Sequence, residues 1–309
     1  MVVRAVVPTL NAAADWPDFA PPLLASLAPE QVLIVDSSST DRTATLAQNA
    51  GFRLYSIQQS EFNHGATRQL AAELLPEADI LIYLTQDAIL TTPESIENLL
   101  RPFADSSVAA AYGRQLPRVG AGAIEAHARD FNYPEQSEIR SFASRQRLGF
   151  KTIFISNSFA AYRRSALMAA GGFPRQVIFG EDTLIAARLL MAGSKIAYVA
   201  EASVRHSHPY TWTQEFKRYF DIGVLHGRER WLQDSFGGTG GEGKRFVASE
   251  LNYLRQKDPL RIPSGMIRTG LKLLGYKLGR SERNLSLAMK RRLSMNRRFW
   301  ANDSAGGVR

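Results

Sequence analysis

Three short stretches of this chain carry residue types that could do chemistry together. Thr85-Gln86-Asp87-Ala88 follows the apolar run Ile80-Leu81-Ile82-Tyr83-Leu84. One carboxylate, Asp87, therefore sits at the carboxyl end of what reads as a buried strand, the place where α/β proteins hold ligands. Gly180-Glu181-Asp182 opens a later helix with an acidic pair, and His206-Ser207-His208 ends a still later strand. If that strand stays extended, His206 and His208 share one face, since side chains alternate with period two. Two acidic stations and two imidazoles suggest metal-assisted group transfer. The chain has no cysteine, so any metal must sit on oxygen and imidazole ligands, and a disulfide framework is excluded.

Each station has a plainer reading beside the chemical one. Acids in a first helical turn are favoured by the macrodipole alone, which covers Glu181 and Asp182. Pro8-Thr9-Leu10-Asn11 and Asp36-Ser37-Ser38 follow adjacent strands and can jointly clasp the base and ribose of a nucleotide, or can be ordinary turn and capping residues. Arg68 sits one turn into a helix that begins near Gly65, where a guanidinium can approach a diphosphate or lie solvated on the helix face. Asn63-His64-Gly65 could form a loop over a bound donor, with His64 either a contact or a simple turn residue.

The elements that must position these residues follow from periodicity. Val2 to Val7, Gln31 to Asp36, Phe52 to Ile57 and Ile80 to Leu84 read as short strands, with helices at about 17 to 27, 41 to 50 and 65 to 75 between them. Ser39 or Thr40 offers the second helix an N-cap and Gly51 a stop. Strands alternating with single helices imply right-handed βαβ units and a parallel sheet. Further strands are expected at Val108 to Gly113 and Phe159 to Arg163, a helix at Asp182 to Met191, and a strand pair at Ile196 to Val199 and Ala202 to Arg205. From Thr211 the chain reads as helical, broken by a glycine-rich loop from Phe236 to Gly243.

Of the formal charge of +9, the segment 261 to 309 carries twelve basic residues against Glu282 and Asp303, or +10, so the rest is close to neutral. Ile267, Leu271, Leu274 and Leu278 form one helical stripe, and Leu285, Met289 and Leu293 another, flanked by basic side chains and followed by Phe299 and Trp300. Such a tail can lie on anionic lipid or pack on the domain with a solvated basic face. It can also pair with itself, which leaves an oligomer open. No recognised nucleic-acid-binding motif accompanies the charge, so nucleic acid is not an expected partner. No secretory leader is expected at the amino terminus, and no stretch approaches the roughly 20 apolar residues of a membrane span. A cytoplasmic placement is expected, with contact at the inner face of the membrane through the tail.

Taken in order, Pro8-Thr9-Leu10-Asn11, Val35-Asp36-Ser37-Ser38-Ser39-Thr40-Asp41, Phe62-Asn63-His64-Gly65-Ala66-Thr67-Arg68, Thr85-Gln86-Asp87-Ala88, Phe179-Gly180-Glu181-Asp182, His206-Ser207-His208 and Arg218-Tyr219-Phe220-Asp221-Ile222-Gly223 resemble a family 2 inverting glycosyltransferase of the GT-A fold, and within it the bacterial rhamnosyltransferases. The resemblance spans about residues 3 to 226. It implies an α/β fold with a Rossmann-like, mostly parallel sheet flanked by helices. Residues 1–210 would be the transferase domain, with 1–100 binding nucleotide sugar and 101–210 the acceptor, and 211–309 a helical extension with a basic amphipathic tail. It further implies dTDP-β-L-rhamnose as donor, a cell-surface glycan or lipid-linked acceptor, and Mg²⁺ or Mn²⁺ on Asp87. The resemblance assigns His206 to the metal and His208 to the diphosphate, though sequence does not separate the two. Family members carry Asp-X-Asp where this chain has Thr85-Gln86-Asp87, leaving Asp87 as the single carboxylate there, while Thr85 offers a hydroxyl toward ribose. Asp182 takes the place of the general base, Glu181 an orienting role, and Asn157, Ser158 and Arg163 border the acceptor. A nucleotide-binding scaffold without catalysis is the rival reading.

Overall fold

The computed structural model describes residues 1–303. A nine-stranded sheet forms its centre, built from β1 (Val3–Thr9), β2 (Val32–Asp36), β3 (Arg53–Ser56), β4 (Ile80–Leu84), β5 (Ile89–Leu90), β6 (Val108–Leu116), β7 (Glu138–Arg140), β8 (Phe159–Arg163) and β9 (Lys195–Arg205). Strand order is β3-β2-β1-β4-β8-β6-β9-β5, with β7 also on β9. The pairs β1–β2, β1–β4, β2–β3 and β6–β9 are parallel, and β8 runs antiparallel between β4 and β6. It follows that β1, β2, β3, β4, β6 and β9 all point the same way. Their carboxyl ends share one edge with the amino end of β8, since Leu84 faces Phe159 across the β4–β8 pair. That edge is where the site is built.

Both faces of the sheet are covered, which is why β2 and β4 are buried at every residue and read as continuous apolar runs. Period two divides them: Ile80, Ile82 and Leu84 pack with Trp16, Phe19 and Leu23 on one side, whereas Leu81 and Tyr83 pack with Ala71, Leu184 and Ile185 on the other. Strand β3 lies at the sheet edge and keeps mostly exposed side chains.

Several expectations are corrected. The strand pair expected at 196 to 205 is one strand, β9, whose pairing with β6 slips between Gly113 and Arg114. A Cβ on Gly113 would lie 2.4 Å from the Ala202 carbonyl oxygen, so the slip needs glycine there. The second helix starts at Thr43 with no side-chain cap from its flanking residue; Ser39 and Thr40 lie upstream, and Asp41 Oδ1 accepts from the Thr43 amide at 2.9 Å. Gly51 does end that region in the left-handed conformation, at φ 76°. Gly240, Gly241 and Gly243 are not loop residues but the first turn of the helix Gly240–Lys257.

The carboxyl-terminal extension is helical, and glycines set its packing. Helix Ile262–Arg280 crosses helix Trp212–Arg228 so closely that a Cβ on Gly275 would lie 2.4 Å from the Phe216 carbonyl oxygen, and one on Gly279 only 2.0 Å from that of Phe220. Gly279→Ala should cost about 1–3 kcal/mol by forcing the helices apart, read as a lowered denaturant midpoint, whereas exposed Gly270→Ala should stabilise slightly. The expected apolar stripe divides on this geometry: Leu271 and Leu278 turn inward, whereas Ile267 and Leu274 remain exposed. Farther along, Trp300 is fully buried, and Leu285 and Leu293 pack against the cluster it forms with Ile178, Phe220 and Val224. Among the described residues no helix is long and apolar enough to cross a membrane.

Candidate active site

A cavity of about 1040 Å³ opens along the edge where the parallel strands end. Pro8, Thr9, Ser37, His64, Arg68, Thr85, Gln86, Asp87, Asn157, Glu181, Asp182, His206 and His208 all line it. Asn11 and Asp36 do not. Asp36 is buried beneath the loops, where Oδ1 accepts from Thr9 Oγ1 at 3.0 Å and from Ser39 Oγ, and Oδ2 from the Ser39 amide. Asn11, at φ 51°, accepts from the Thr40 amide. Both residues tie the β1 and β2 loops into one shape, and the Ser37 hydroxyl is left buried without a hydrogen-bond partner at the cavity wall.

Sequentially remote carboxylate and imidazoles meet at the centre. His206 Nε2 lies 3.4 Å from Asp87 Oδ1, and His208 Nε2 lies 3.6 Å from Asp87 Oδ2. β9 ends at Arg205, so the histidines follow the strand rather than ending it, yet both rings still reach Asp87. One ligand atom from each of the three residues fits within 4.8 Å of the others.

The tautomer of His206 follows from its neighbours. Arg129 Nη1, which can only donate, lies 2.6 Å from Gln115 Oε1, and the Gln115 amide nitrogen donates to Ser156 Oγ. Gln115 Oε1 is therefore an acceptor, and the His206 Nδ1 at 3.0 Å must carry hydrogen. Nε2 is thereby aimed at a carboxylate, and the charge between them must be positive: a proton or a metal ion. This is the outer-shell arrangement that orients a metal-binding imidazole.

Burial opposes ionisation of Asp87, but the His206 hydrogen bond and the nearby imidazoles outweigh it and hold the carboxyl well below its usual range. His208 is pushed down to about 4, first by burial and then by His206, which leaves a neutral imidazole lone pair at ordinary pH. One carboxylate and two neutral-capable imidazoles, with room for water and phosphate oxygens, fit a divalent cation. Gln115→Leu should weaken metal binding about 10–100-fold through loss of His206 orientation, measured by calorimetric titration with Mn²⁺.

Across the cavity, the helix Glu181–Met191 begins after Gly180, held at φ 78°. Glu181 is buried, and its Oε1 accepts from Arg68 Nη1 at 2.9 Å and from Asn157 Nδ2 at 3.1 Å. Arg68 is 4% exposed, so it is a buried partner of Glu181 and not a solvated helix-face arginine. Burial raises the Glu181 carboxyl, but Arg68 and His64 bring it below the usual value. Asp182, half-buried at the cavity wall, is pushed up to about 7, first by burial and then by the Glu181 charge. Its Oδ1 accepts from the Thr183 amide and its Oδ2 from that of Asn157. Adjacent acids thus differ in role: one locked as an ion, the other poised to exchange a proton near neutrality.

The loop expected at Asn63-His64-Gly65 is a helix start. Asn63 caps His64–Leu74 by accepting from the Gly65 and Ala66 amides, and His64 opens the first turn. Gly65 is required by close packing, because a Cβ would lie 1.9 Å from the Pro174 carbonyl oxygen.

Three arginines gain importance from their placement in the structure, and of these only Arg218 belongs to a motif already noted in the sequence. Arg118 Nη2 is 3.6 Å from Asp87 Oδ2 and donates to the Asp87 carbonyl oxygen at 3.3 Å. Arg129 and Arg218 line the cavity, with no carboxylate within ion-pair distance among the described residues. Arg218 lies over Phe179 and Tyr210. The guanidinium charges of Arg129 and Arg218, not taken up in ion pairs among the described residues, suit a diphosphate. Arg118 follows Pro117 at the end of β6 and carried no motif signal; only its strand-end position could have marked it. Arg163, expected beside the acceptor, instead donates to the Phe103 and Val108 carbonyls at the opposite end of β8.

With this geometry established, comparison with known proteins gives a consistent result. Residues 80–255 match the pattern of the family described as Glycosyl transferase family group 2. The chain is 45% identical over 304 residues to the O-antigen chain rhamnosyltransferase RfbN of Salmonella typhimurium, covering 98% of this chain and 97% of that protein. It is 48% identical over 299 residues to the O-antigen chain rhamnosyltransferase WbaN of Salmonella anatum, covering 96% and 95%. In fold it is similar to the mannosyltransferase PcManGT of Pyrobaculum calidifontis, solved with GDP-Man and Mn²⁺, with a TM-score of 0.57 at 18% identity over 100% of this chain and 88% of that one.

Proposed function

The chain belongs to glycosyl transferase family group 2, and from that premise we propose that it transfers L-rhamnose from dTDP-β-L-rhamnose to a hydroxyl of a growing O-antigen chain, with inversion. The rhamnosyl and O-antigen assignment is supported by two relatives aligned over nearly the full chain. The arrangement that carries the chemistry is the pairing, on one cavity, of an ionised Asp87 set between His206 and His208 with a half-buried acid, Asp182, poised near pH 7.

Asp182 takes the proton from the attacking acceptor hydroxyl as the new bond forms at the anomeric carbon. Glu181, fixed by Arg68 and Asn157, holds the helix start in register and keeps the Asp182 proton affinity high. Asp87 and His206, with His208 beside them, would hold Mg²⁺ or Mn²⁺, which neutralises charge on the departing nucleoside diphosphate. Arg129 and Arg218 add fixed positive charge along the same wall. Ser37, Thr85 and Gln86 face the nucleoside, and Asp36 acts from beneath by shaping the loops. Gln86 bridges the β1 loop directly, accepting from the Leu10 amide and donating to its carbonyl.

Release of nucleoside diphosphate from dTDP-, UDP- and GDP-sugars, measured with a rhamnose-containing acceptor extract and Mg²⁺ or Mn²⁺, tests this reading. Turnover of dTDP-rhamnose is expected. Turnover confined to another donor would remove the sugar assignment while leaving the mechanism in place. Nucleotide binding with no transfer to any acceptor would favour the scaffold.

A further inference from the structure

Helix Ile262–Arg280 has two opposed faces with different chemistry. Gly265, Gly275 and Gly279 are buried on the inner face, where Arg268 and Lys272 also pair with Glu215 at 3.2 and 3.7 Å and line the cavity. At 100° per residue, positions 263, 266, 267, 270, 273, 274 and 277 fall on the opposite side. That side is apolar and uncovered: Met266 is 62% exposed, Leu273 54%, Leu274 50% and Ile267 44%, and Leu260 just before the helix is 90% exposed. A contiguous row of this kind is unlike the scattered apolar residues of an ordinary surface.

Charge identifies the occupant. Lys277 lies on the row itself, Arg280 one turn nearer the end, and Arg255 and Lys257 approach its start, all four exposed. In sequence, residues 261 to 309, of which this helix is the first part, carry +10. An apolar stripe bordered by one sign of charge is the pattern of a helix lying in an anionic bilayer interface. The helix is not apolar enough to cross a membrane.

We propose that the outer face of Ile262–Arg280, formed by Met266, Ile267, Leu273 and Leu274 with Lys277 and Arg280, docks the protein on the surface of an anionic lipid bilayer. Because the inner face of the same helix lines the cavity, docking would hold the cavity a single helix diameter from the lipid surface. The inference goes beyond the transfer chemistry and does not depend on which sugar is moved.

Flotation of the full chain with phosphatidylcholine vesicles, with and without phosphatidylglycerol, tests it. Binding is expected only to the phosphatidylglycerol vesicles and should weaken as salt rises. The triple variant Met266→Gln, Leu273→Gln, Leu274→Gln should bind at least about tenfold more weakly, and Lys277→Gln with Arg280→Gln about fivefold more weakly per charge. Each variant should retain the wild-type melting temperature and dTDP affinity. As a reporter independent of those losses, fluorescence of Leu273→Trp should shift to the blue with anionic vesicles. Absence of flotation, equal binding to both vesicle types, or no effect of the triple variant would overturn the proposal. A wild-type dimer dissolved by the triple variant would overturn it too, by assigning the face to a second copy of the chain.

Discussion

Asp182→Asn should reduce rhamnosyl transfer by about 10²–10⁴-fold, the range for removal of a positioned general base, while donor affinity changes little. The substitution keeps the shape of the side chain and the acceptor for the Thr183 amide at the start of Glu181–Met191, gives up the longer 3.4 Å bond from the Asn157 amide, and removes the ability to take a proton. In the wild type, burial and then the Glu181 charge raise the Asp182 carboxyl to about 7. The rate should therefore rise with pH through a limb centred near 7, because the base must be ionised to act. The sign for stability is opposite. A carboxyl raised from 3.8 binds its proton more tightly in the folded chain than in the unfolded one, so the stability it contributes is full below about pH 4, is lost as pH rises toward about 7, and stays lost above that. Asn never ionises, so above pH 7 the variant should melt no lower than wild type even though it is inactive. Loss of activity with a lowered melting temperature at pH 8 would instead assign Asp182 to structure, and full activity in the variant would remove it from the mechanism.

The second large effect is expected at Asp87. Asp87→Ala should lower turnover by about 10²–10³-fold, since the charge stabilisation lost with the cation amounts to several kcal/mol and each 1.36 kcal/mol is tenfold. The variant leaves His206 and His208 aimed at an empty corner, with Arg118 deprived of its carboxylate. Calorimetric titration of Mn²⁺ should show binding to wild type and none to the variant, separating metal affinity from catalysis. A chelator should inactivate the wild type, with activity restored by added Mg²⁺ or Mn²⁺. Full turnover after chelation, with Asp87→Ala equally active, would sink the metal assignment while leaving Asp182 untouched.

Local pattern made much of this protein legible before any coordinates. Ile80–Leu84 is apolar throughout because a strand covered on both faces must be, and the abrupt change to Thr85-Gln86-Asp87 marks where that cover ends. Gly180-Glu181-Asp182 announces a helix start because a left-handed glycine precedes acids in a first turn. The family resemblance added the roles, and these residues do line one cavity. Helix periodicity also marked the tail, but could not say that glycines rather than leucines form its packed face.

What only the tertiary structure decided lies in contacts between distant positions. Gln115 fixes the His206 tautomer from 91 residues away, and Arg68 locks Glu181 from 113 residues away. Neither separation leaves a periodic trace. The antiparallel insertion of β8 brings Asn157 to the same edge as six carboxyl-terminal strand ends, which no run of residues signals on its own. Chain-local spacing records which face of an element is covered, because burial acts residue by residue along it. It does not record which groups meet across the sheet edge, because that depends on strand order and crossing geometry. The sequence by itself therefore determined the class of chemistry and its acids and imidazoles; the fold decided which proton, which lone pair and which guanidinium each of them faces.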